Sequence, residues 1–459
     1  MFLDLDKKER RKIASVDDSG QAITYGDICE FSGEFASHLP TRSLVFLLSE
    51  NTNGSLLGYT ACLSNGIVPL ILSAKTEEGL YANLRDMYRP EYMWVPEVMT
   101  EKLGYRILFT SHGYSLVKTG YRPVRMHPDL ALLLPTSGST GSPKLVRHSL
   151  RNIEANADNV RRMFKMDGSE KAMAILPMHY TMGLSVIASH LLAGATLLLS
   201  GRSLLDRDFW CTLREATSFT GVPYSYELLM KMRFTRMSLP NLKIITQGGG
   251  KLTEDMFRTL AQYAHDSGKQ FIPTYGQSEC TARMAYLPSE LALEKTCSIG
   301  YAEPGGRLSI VDAEGNETFE GEAEGEMVYR GENVTLGYAY GLEDLKNGDE
   351  NHGVMHTGDL ARRDADGCYF IIGRLKRFLK IFGLRIGLDE VERMIKEKFG
   401  TDCYCKGDDE RLIVLVTDAK LQDVIPSFIE EKTHLFHDRI EVQTVKEILR
   451  NEAGKVINQ

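Results

Sequence analysis

An α/β fold is predicted by three features of this sequence. Short apolar runs alternate with stretches of helical spacing from Ala22 to about Thr246. A texture of brief strands and turn signals sets in at Leu308, and a compact tail with its own helix and strand pattern follows the basic segment GRLKRFLKIFGLRIG at 373–387. The expectation is a large N-terminal domain of layered α/β sheets plus a small β-rich subdomain, residues 1–375, and a small α+β C-terminal domain, residues 376–459.

Taken in order, residues 1–20 are charged and are expected to be partly frayed. From Ala22 the pattern A-I-T-Y-G-D leads into a helix over 27–39, then a strand over 44–48, a helix over 54–65 and a strand over 67–72. Periodicity weakens over 111–124, which reads as an edge meander. After Leu134 follow a helix over 150–164, a strand over 172–176, an apolar helix broken by Gly194, a strand over 196–199, a helix over 203–216 and a strand over 242–246. The apolar segment 183–201 nearly reaches membrane-spanning length, but His190 and Gly194 interrupt it, so a buried helix running into a strand is expected. Asp312-Ala-Glu-Gly315 is a turn signal, and 324–329 and 366–372 read as strands. The tail reads as a helix over 388–398, a strand over 411–417, a helix over 421–435 and a strand over 440–445.

Composition narrows the function. The 459 residues, 43% hydrophobic and 25% charged, suit a globular protein with a sizeable core. A net charge of −8 without any long Lys/Arg tract offers nothing to nucleic acid or an anionic membrane. The eight cysteines are scattered, and MFLDLDKKERRK lacks the apolar core of a signal peptide, so a reducing cytoplasm is expected. Cys403-Tyr-Cys405 is too isolated to suggest a metal site.

Chemistry concentrates after Leu132–Leu134, a strand end stopped at Pro135. The loop Thr136-Ser137-Gly138-Ser139-Thr140-Gly141-Ser142-Pro143-Lys144 combines glycines that free backbone N–H groups, hydroxyl donors and one lysine, which suits phosphate oxygens. Each hydrogen bond to a charged oxygen contributes about 1.5–3 kcal/mol. No Ser or Thr follows the lysine, and the spacing is not that of a P-loop ATPase. In isolation the loop reads equally as a Ser/Gly-rich surface turn. The same holds for Gly248-Gly249-Gly250, which is either a plain turn or a backbone open to a flat ring. In Tyr275-Gly276-Gln277-Ser278-Glu279 the carboxylate suits a hard cation. His179 and Tyr180, before Met182 and Gly183, are either a pocket wall or polar rings at a helix start. Thr357-Gly358-Asp359, Arg374, the basic segment and Asn451-Glu-Ala-Gly454-Lys455 complete the set.

These motifs, in this order, resemble the signatures of the adenylate-forming (AMP-binding) superfamily: acyl-CoA and aryl-CoA synthetases, peptide-synthetase adenylation domains and luciferases, with stand-alone acyl-CoA synthetases the nearest in kind. The resemblance implies that Thr136, Ser137, Gly138, Ser139, Thr140, Gly141 and Lys144 hold phosphate, with Thr140 among the catalytic residues. It implies that Gly248, Gly249, Gly250, Tyr275, Gly276 and Ser278 hold the nucleotide, with Tyr275 against adenine. Glu279 would hold Mg²⁺, Asp359 the ribose, and Arg374 ribose and phosphate. His179, Tyr180, Gly183 and Tyr224, with Met182 and Tyr226, would form the acyl pocket. Lys376 would be the hinge of a mobile C-terminal domain, Lys380, Gly383 and Arg385 its swinging loop, and Lys455 the lysine that reaches the reacting carboxylate.

The implied reaction is that of an AMP-forming ligase: a small-molecule carboxylate and ATP give an acyl-adenylate and pyrophosphate, and the acyl group passes to a thiol. CoA is the expected acceptor, and the phosphopantetheine of a separate acyl carrier protein the alternative, since only 456–459 follow Lys455. Residues 178–184 contain no acid, which disfavours an α-amino acid substrate. A luciferase-like oxygenase shares the adenylation step. A non-catalytic nucleotide-binding regulator is the reading of another class, and it leaves Glu279, Asp359 and Lys455 without a purpose. The tail is clipped over 401–411, and Leu449 stands where the superfamily often has proline. The acid itself and the oligomeric state stay open.

Overall fold

The run Leu44–Ser49, LVFLLS, is buried at every position, as expected for a parallel strand covered on both faces. In the computed structural model, which describes residues 1–135, 144–375, 377–381, 384–408, 410–433, 435–450 and 456, it lies in an eight-stranded sheet. Val68–Ser73 and Tyr92–Pro96 flank it in parallel, and the hairpin Arg106–Ser111 with Tyr114–Lys118 closes one edge. The meander expected at 111–124 is therefore an edge hairpin that starts earlier, and the helix Glu78–Tyr88 precedes it. Toward the other edge, which Gly337–Ala339 forms, Leu130–Pro135 pairs with Leu145–Ser149, bringing together the residues that flank the Ser/Gly-rich loop.

A nine-stranded sheet has a parallel centre in the order Gln270–Tyr275, Ile244–Gln247, Ser218–Gly221, Lys171–Ala174, Thr196–Leu199 and Ile13–Val16. Two helices are buried on every side: eleven of twelve residues in Asn53–Ser64, and Thr181 through Leu191 in Thr181–Ala193. Neither has a polar face, as expected of helices enclosed within a layered core. Among the described residues no helix is long and apolar enough to cross a membrane.

Residues 1–20 are not frayed. Phe2, Leu3 and Leu5 are buried, and the Phe2 ring meets Tyr59 edge-on at 5.7 Å. The lysines that suggested exposure are spent on carbonyls: Lys8 Nζ donates to Leu192 O at 2.6 Å, near the C-terminus of Thr181–Ala193, and Lys12 donates to Gly168 O. The first long helix begins at Tyr25 because Thr24 and Asp27 form a reciprocal capping box.

The chain divides into two compact units, residues 1–307 with 329–355, and residues 308–328 with 356–459. A five-stranded sheet runs in the order Glu317–Thr318, Arg307–Val311, Ala323–Arg330, Val354–Arg363, Tyr369–Arg374. Beyond it lie the hairpin Phe378–Ile381 with Leu384–Gly387, the helices Leu388–Phe399 and Ile425–Thr433, and the sheet Cys403–Gly407, Leu412–Val416, Ile440–Thr444. These last elements share one apolar core, and Cys403 and Cys405 are buried within it.

Candidate functional site

Glu279 is presented by a tight turn after a strand. Strand Gln270–Tyr275 ends at Gly276, where a Cβ would lie 1.5 Å from the Ala282 carbonyl oxygen. After the turn Ser278–Cys280, Thr281 and Ala282 adopt φ values of 52° and 88°, in the left-handed region that costs L-residues about 1–3 kcal/mol. Thr281 Oγ1 offsets part of this by donating to Asn333 O at 2.8 Å. The chain then folds back as Ala285–Tyr286, antiparallel to the strand it left.

The Glu279 carboxylate accepts a hydrogen bond from the Tyr338 hydroxyl at 2.7 Å, and its backbone carbonyl accepts two more from Thr335 N and Oγ1, each at 3.0 Å. Lys144 Nζ stands 3.6 Å from the centre of the Tyr338 ring, a cation–π contact. The end of the phosphate loop and the Glu279 turn are thus joined through one tyrosine. Burial, and then the Glu279 charge, raise the Tyr338 phenol far above its ordinary range, so it stays protonated and keeps donating.

Gly248, Gly249 and Gly250 follow Ile244–Gln247, and the Gln247 amide clamps the loop through Gly248 O at 3.1 Å and Gly250 O at 2.6 Å. Side chains crowd this backbone. A Cβ on Gly248 would lie 2.6 Å from Met182 Cε, and one on Gly249, with φ +77°, would lie 2.6 Å from the Tyr180 hydroxyl. Tyr180, Leu176, Met182, Val222 and Ala282 form one apolar cluster, and burial pushes the Tyr180 phenol up to about 12. Thr181 Oγ1 donates to Ser278 Oγ at 2.9 Å, tying the helix start to the Glu279 turn.

The other pocket candidates separate. Gly183 is a packing glycine, since a Cβ would lie 2.3 Å from Pro177 O. His179 is half-buried in the turn before the helix. Tyr224 is 52% exposed and outside the cluster, whereas Tyr226 is buried with its hydroxyl on Thr246 O at 2.7 Å. Tyr275 receives a hydrogen bond from the Gln277 amide at 3.2 Å.

In the second unit, Asp359 and Arg374 are register partners on adjacent strands, and Arg374 Nε meets Asp359 Oδ1 at 3.0 Å. Thr357 Oγ1 accepts from Asp359 N at 3.1 Å while donating to Met327 O at 2.6 Å, and Gly358 sits at φ 69°. Arg377 is held by Glu392 at 2.5 Å, by Asp389 and by Cys405 O at 2.9 Å, which fixes the start of the hairpin carrying Lys380. Thr136, Ser137, Gly138, Ser139, Thr140, Gly141, Lys376, Gly383 and Lys455 lie outside the described residues, as do the side chains of Lys380 and Arg385.

Among the described residues, no three His, Cys, Asp or Glu side chains form a metal-binding group. A cation here would rest on Glu279 together with substrate oxygens, which is the habit of Mg²⁺. Gly248 and Gly249 leave no room for a Cβ.

Two buried histidines in the unit of residues 1–307 with 329–355 set an acid limit to stability. Burial lowers His148 to about 3 and His190 to about 4. The unfolded chain binds protons that the native state refuses between those values and about 6.5, so stability is full above pH 6.5 and falls as pH drops below it. Glu303, raised to about 8 by burial, acts in the opposite sense, and its contribution is lost as pH rises from about 4.5 to 8. The melting temperature should therefore peak near pH 6.5. His190→Gln should flatten the acid limb in a thermal denaturation series, and an unchanged limb would assign the loss to other groups.

Sequence patterns did not single out Tyr338, Thr335, Gln247 or Thr181. Tyr338, Thr335 and Thr181 act through partners distant in the chain, which no local spacing marks, and Gln247 acts on the glycines beside it through a side-chain contact that no motif records.

Residues 4–339 match the family described as AMP-binding enzyme. The chain is 28% identical over 296 residues to oxalate–CoA ligase of Arabidopsis thaliana, covering 63% of this chain and 56% of that protein. It is 25% identical over 368 residues to long-chain-fatty-acid–CoA ligase of Salmonella typhimurium, covering 76% and 64%. These alignments thus span less than two thirds of either relative. Among solved structures, O-succinylbenzoate coenzyme A synthetase of Bacillus subtilis in complex with AMP has a TM-score of 0.78 at 18% identity over 98% of this chain and 95% of that one, a likeness of fold.

Proposed function

Since the chain belongs to the AMP-binding enzyme family, we propose that it activates a carboxylic acid with ATP, releasing pyrophosphate, and passes the acyl group from the acyl-adenylate to a thiol. The observation that carries this reading is the Lys144–Tyr338–Glu279 cluster, which joins a cationic phosphate loop to a lone carboxylate. A carboxylate substrate is already a nucleophile, so the protein needs to supply position and electrostatics rather than a base. Glu279 would hold Mg²⁺, which when bound supplies charge neutralisation at the leaving phosphates. Tyr338 orients the Glu279 carboxylate, and Lys144 is held by the ring at the loop's end. Gly248–Gly250 and Tyr275 would accept the adenine, Asp359 and Arg374 the ribose, and Lys455 the α-phosphate and reacting carboxylate.

The thiol step is assigned to a rotation of 376–459 about Lys376, bringing Lys380 and Gly383 into play. CoA is the acceptor favoured, because the relatives are named CoA ligases; a carrier protein's phosphopantetheine is the alternative. Their acids differ too widely to name this one.

The test is carboxylate-dependent exchange of labelled pyrophosphate into ATP, with Mg²⁺ and without thiol, over aliphatic, aryl and dicarboxylic acids. Exchange with one class supports the reading. ATP binding without exchange for any acid would return the chain to the nucleotide-binding regulator. Within the same assay, Tyr180→Ala should change the preferred acid by about 10-fold while the KM for ATP holds, since one cluster side chain in an apolar wall is worth roughly 1–3 kcal/mol of discrimination. An unchanged acid profile would remove Tyr180 from the pocket.

A further inference from the structure

Arg283 and Glu303 have no part in the roles above, yet each is only 1% exposed. Arg283 leaves the Glu279 turn directly after Ala282, and its side chain is buried. Its Nη1 donates to Ser185 Oγ at 3.0 Å, and the Phe164 ring lies 5.5 Å from its Cζ. Among the described residues its Nε and Nη2 have no hydrogen-bond partner. Glu303 Oε1 accepts from Asn159 at 3.1 Å, Tyr329 at 3.0 Å and Asn333 at 2.8 Å, while Oε2 has no partner among the described residues, so the two buried groups do not hydrogen-bond to each other.

A guanidinium out of water with a free donor edge is strongly unfavourable, and an anion on that edge would relieve the cost. Glu303 offsets the charge only in part: burial raises its carboxyl to about 8, which favours the neutral form. The Nε/Nη2 edge is the fork that binds a carboxylate through two parallel hydrogen bonds. Its location is also informative. Ser185 lies four residues along the helix from Thr181, which is bonded to Ser278 beside Glu279, and four residues of helix rise about 6 Å. Tyr180 and Met182 of the apolar cluster adjoin Thr181 in the chain, and the Arg283 charge acts on the Tyr180 phenol.

We propose that Arg283 receives a second carboxylate on the acid substrate, making this chain selective for dicarboxylic acids over monoacids of the same length. The inference rests on the adenylation reading and names its substrate class. A monoacid of the same length would leave the fork unpaired and be rejected, as sites built around a buried polar group reject analogues that lack its partner.

The experiment is pyrophosphate exchange with matched pairs: succinate and butyrate, glutarate and valerate, adipate and hexanoate, phthalate and benzoate. The wild type should favour one diacid over its partner by at least about 100-fold in kcat/KM. Arg283→Met should lower that ratio by about 100-fold, with the KM for ATP unchanged and the melting temperature equal or higher, because an apolar side chain replaces an unpaired charge. Should Arg283→Met fail to fold, Arg283→Lys, which keeps the charge and loses the fork, should lower the ratio about 10-fold. Equal use of both members of every pair, or a ratio unmoved by either variant, overturns the proposal and makes Arg283 and Glu303 a water-bridged structural pair. Exchange with no acid at all defeats the adenylation reading instead. The anion site is then read by melting shifts with the diacids alone: stabilisation of the wild type but not of Arg283→Met upholds it, and no shift overturns it.

Discussion

Glu279→Gln should lower pyrophosphate exchange by roughly 10²–10³-fold, the loss typical of removing one preorganised electrostatic group from a transition state. The amide oxygen can still accept from Tyr338, and the two Thr335 bonds go to the backbone, so the turn should keep its shape and the melting temperature should hold. What is lost is the negative charge, the only hard-cation ligand the turn offers. The apparent affinity for Mg²⁺ should fall together with the rate, and excess Mg²⁺ should restore part of the activity. Tyr338→Phe is the control: it keeps the ring beneath Lys144 and removes only the hydrogen bond, so a loss nearer 10-fold is expected. A Glu279→Gln protein that retains most of its exchange would remove the cation role from this residue.

Lys455→Ala should split the reaction. Formation of acyl-adenylate, followed by exchange, should fall by about 10³-fold, because the charge that develops at the α-phosphate loses its partner. Thioester formation from chemically supplied acyl-adenylate and CoA should proceed near the wild-type rate, since the lysine would serve the first step alone. Single-turnover measurements of each half separate the two. Equal loss in both halves would rule out a C-terminal domain that changes position between steps.

Much of this was legible in the sequence where signals are local. The alternation of apolar runs with helical spacing gave the layered α/β body, because strands such as Leu44–Ser49 are buried on both faces and carry no polar interruptions. Tyr275 to Glu279 and Thr357 to Asp359 were readable as motifs, since each needs particular residue types in fixed succession. Legibility ended where meaning depends on a distant partner. The charges of residues 1–20 suggested fraying, yet Lys8 and Lys12 are taken up by the carbonyls of Leu192 and Gly168. Tyr224 looked as good a pocket residue as Tyr226, and only helix phase separates the exposed ring from the buried one. Tyr338 and the Arg283–Glu303 pair carry no local pattern at all. Their importance comes from contacts across tens to hundreds of residues, and hydrophobic periodicity does not record these.

Strand Ile13–Val16 pairs with Thr196–Leu199, so Ser15 finds Leu197 only after the intervening chain exists. At a synthesis rate of about 5–20 residues per second, the earlier strand waits roughly 10–40 s on the ribosome before its partner emerges. During that interval its unpaired edge, together with Phe2, Leu3 and Leu5, is sticky surface without a home, and a nascent-chain chaperone should find its binding sites there.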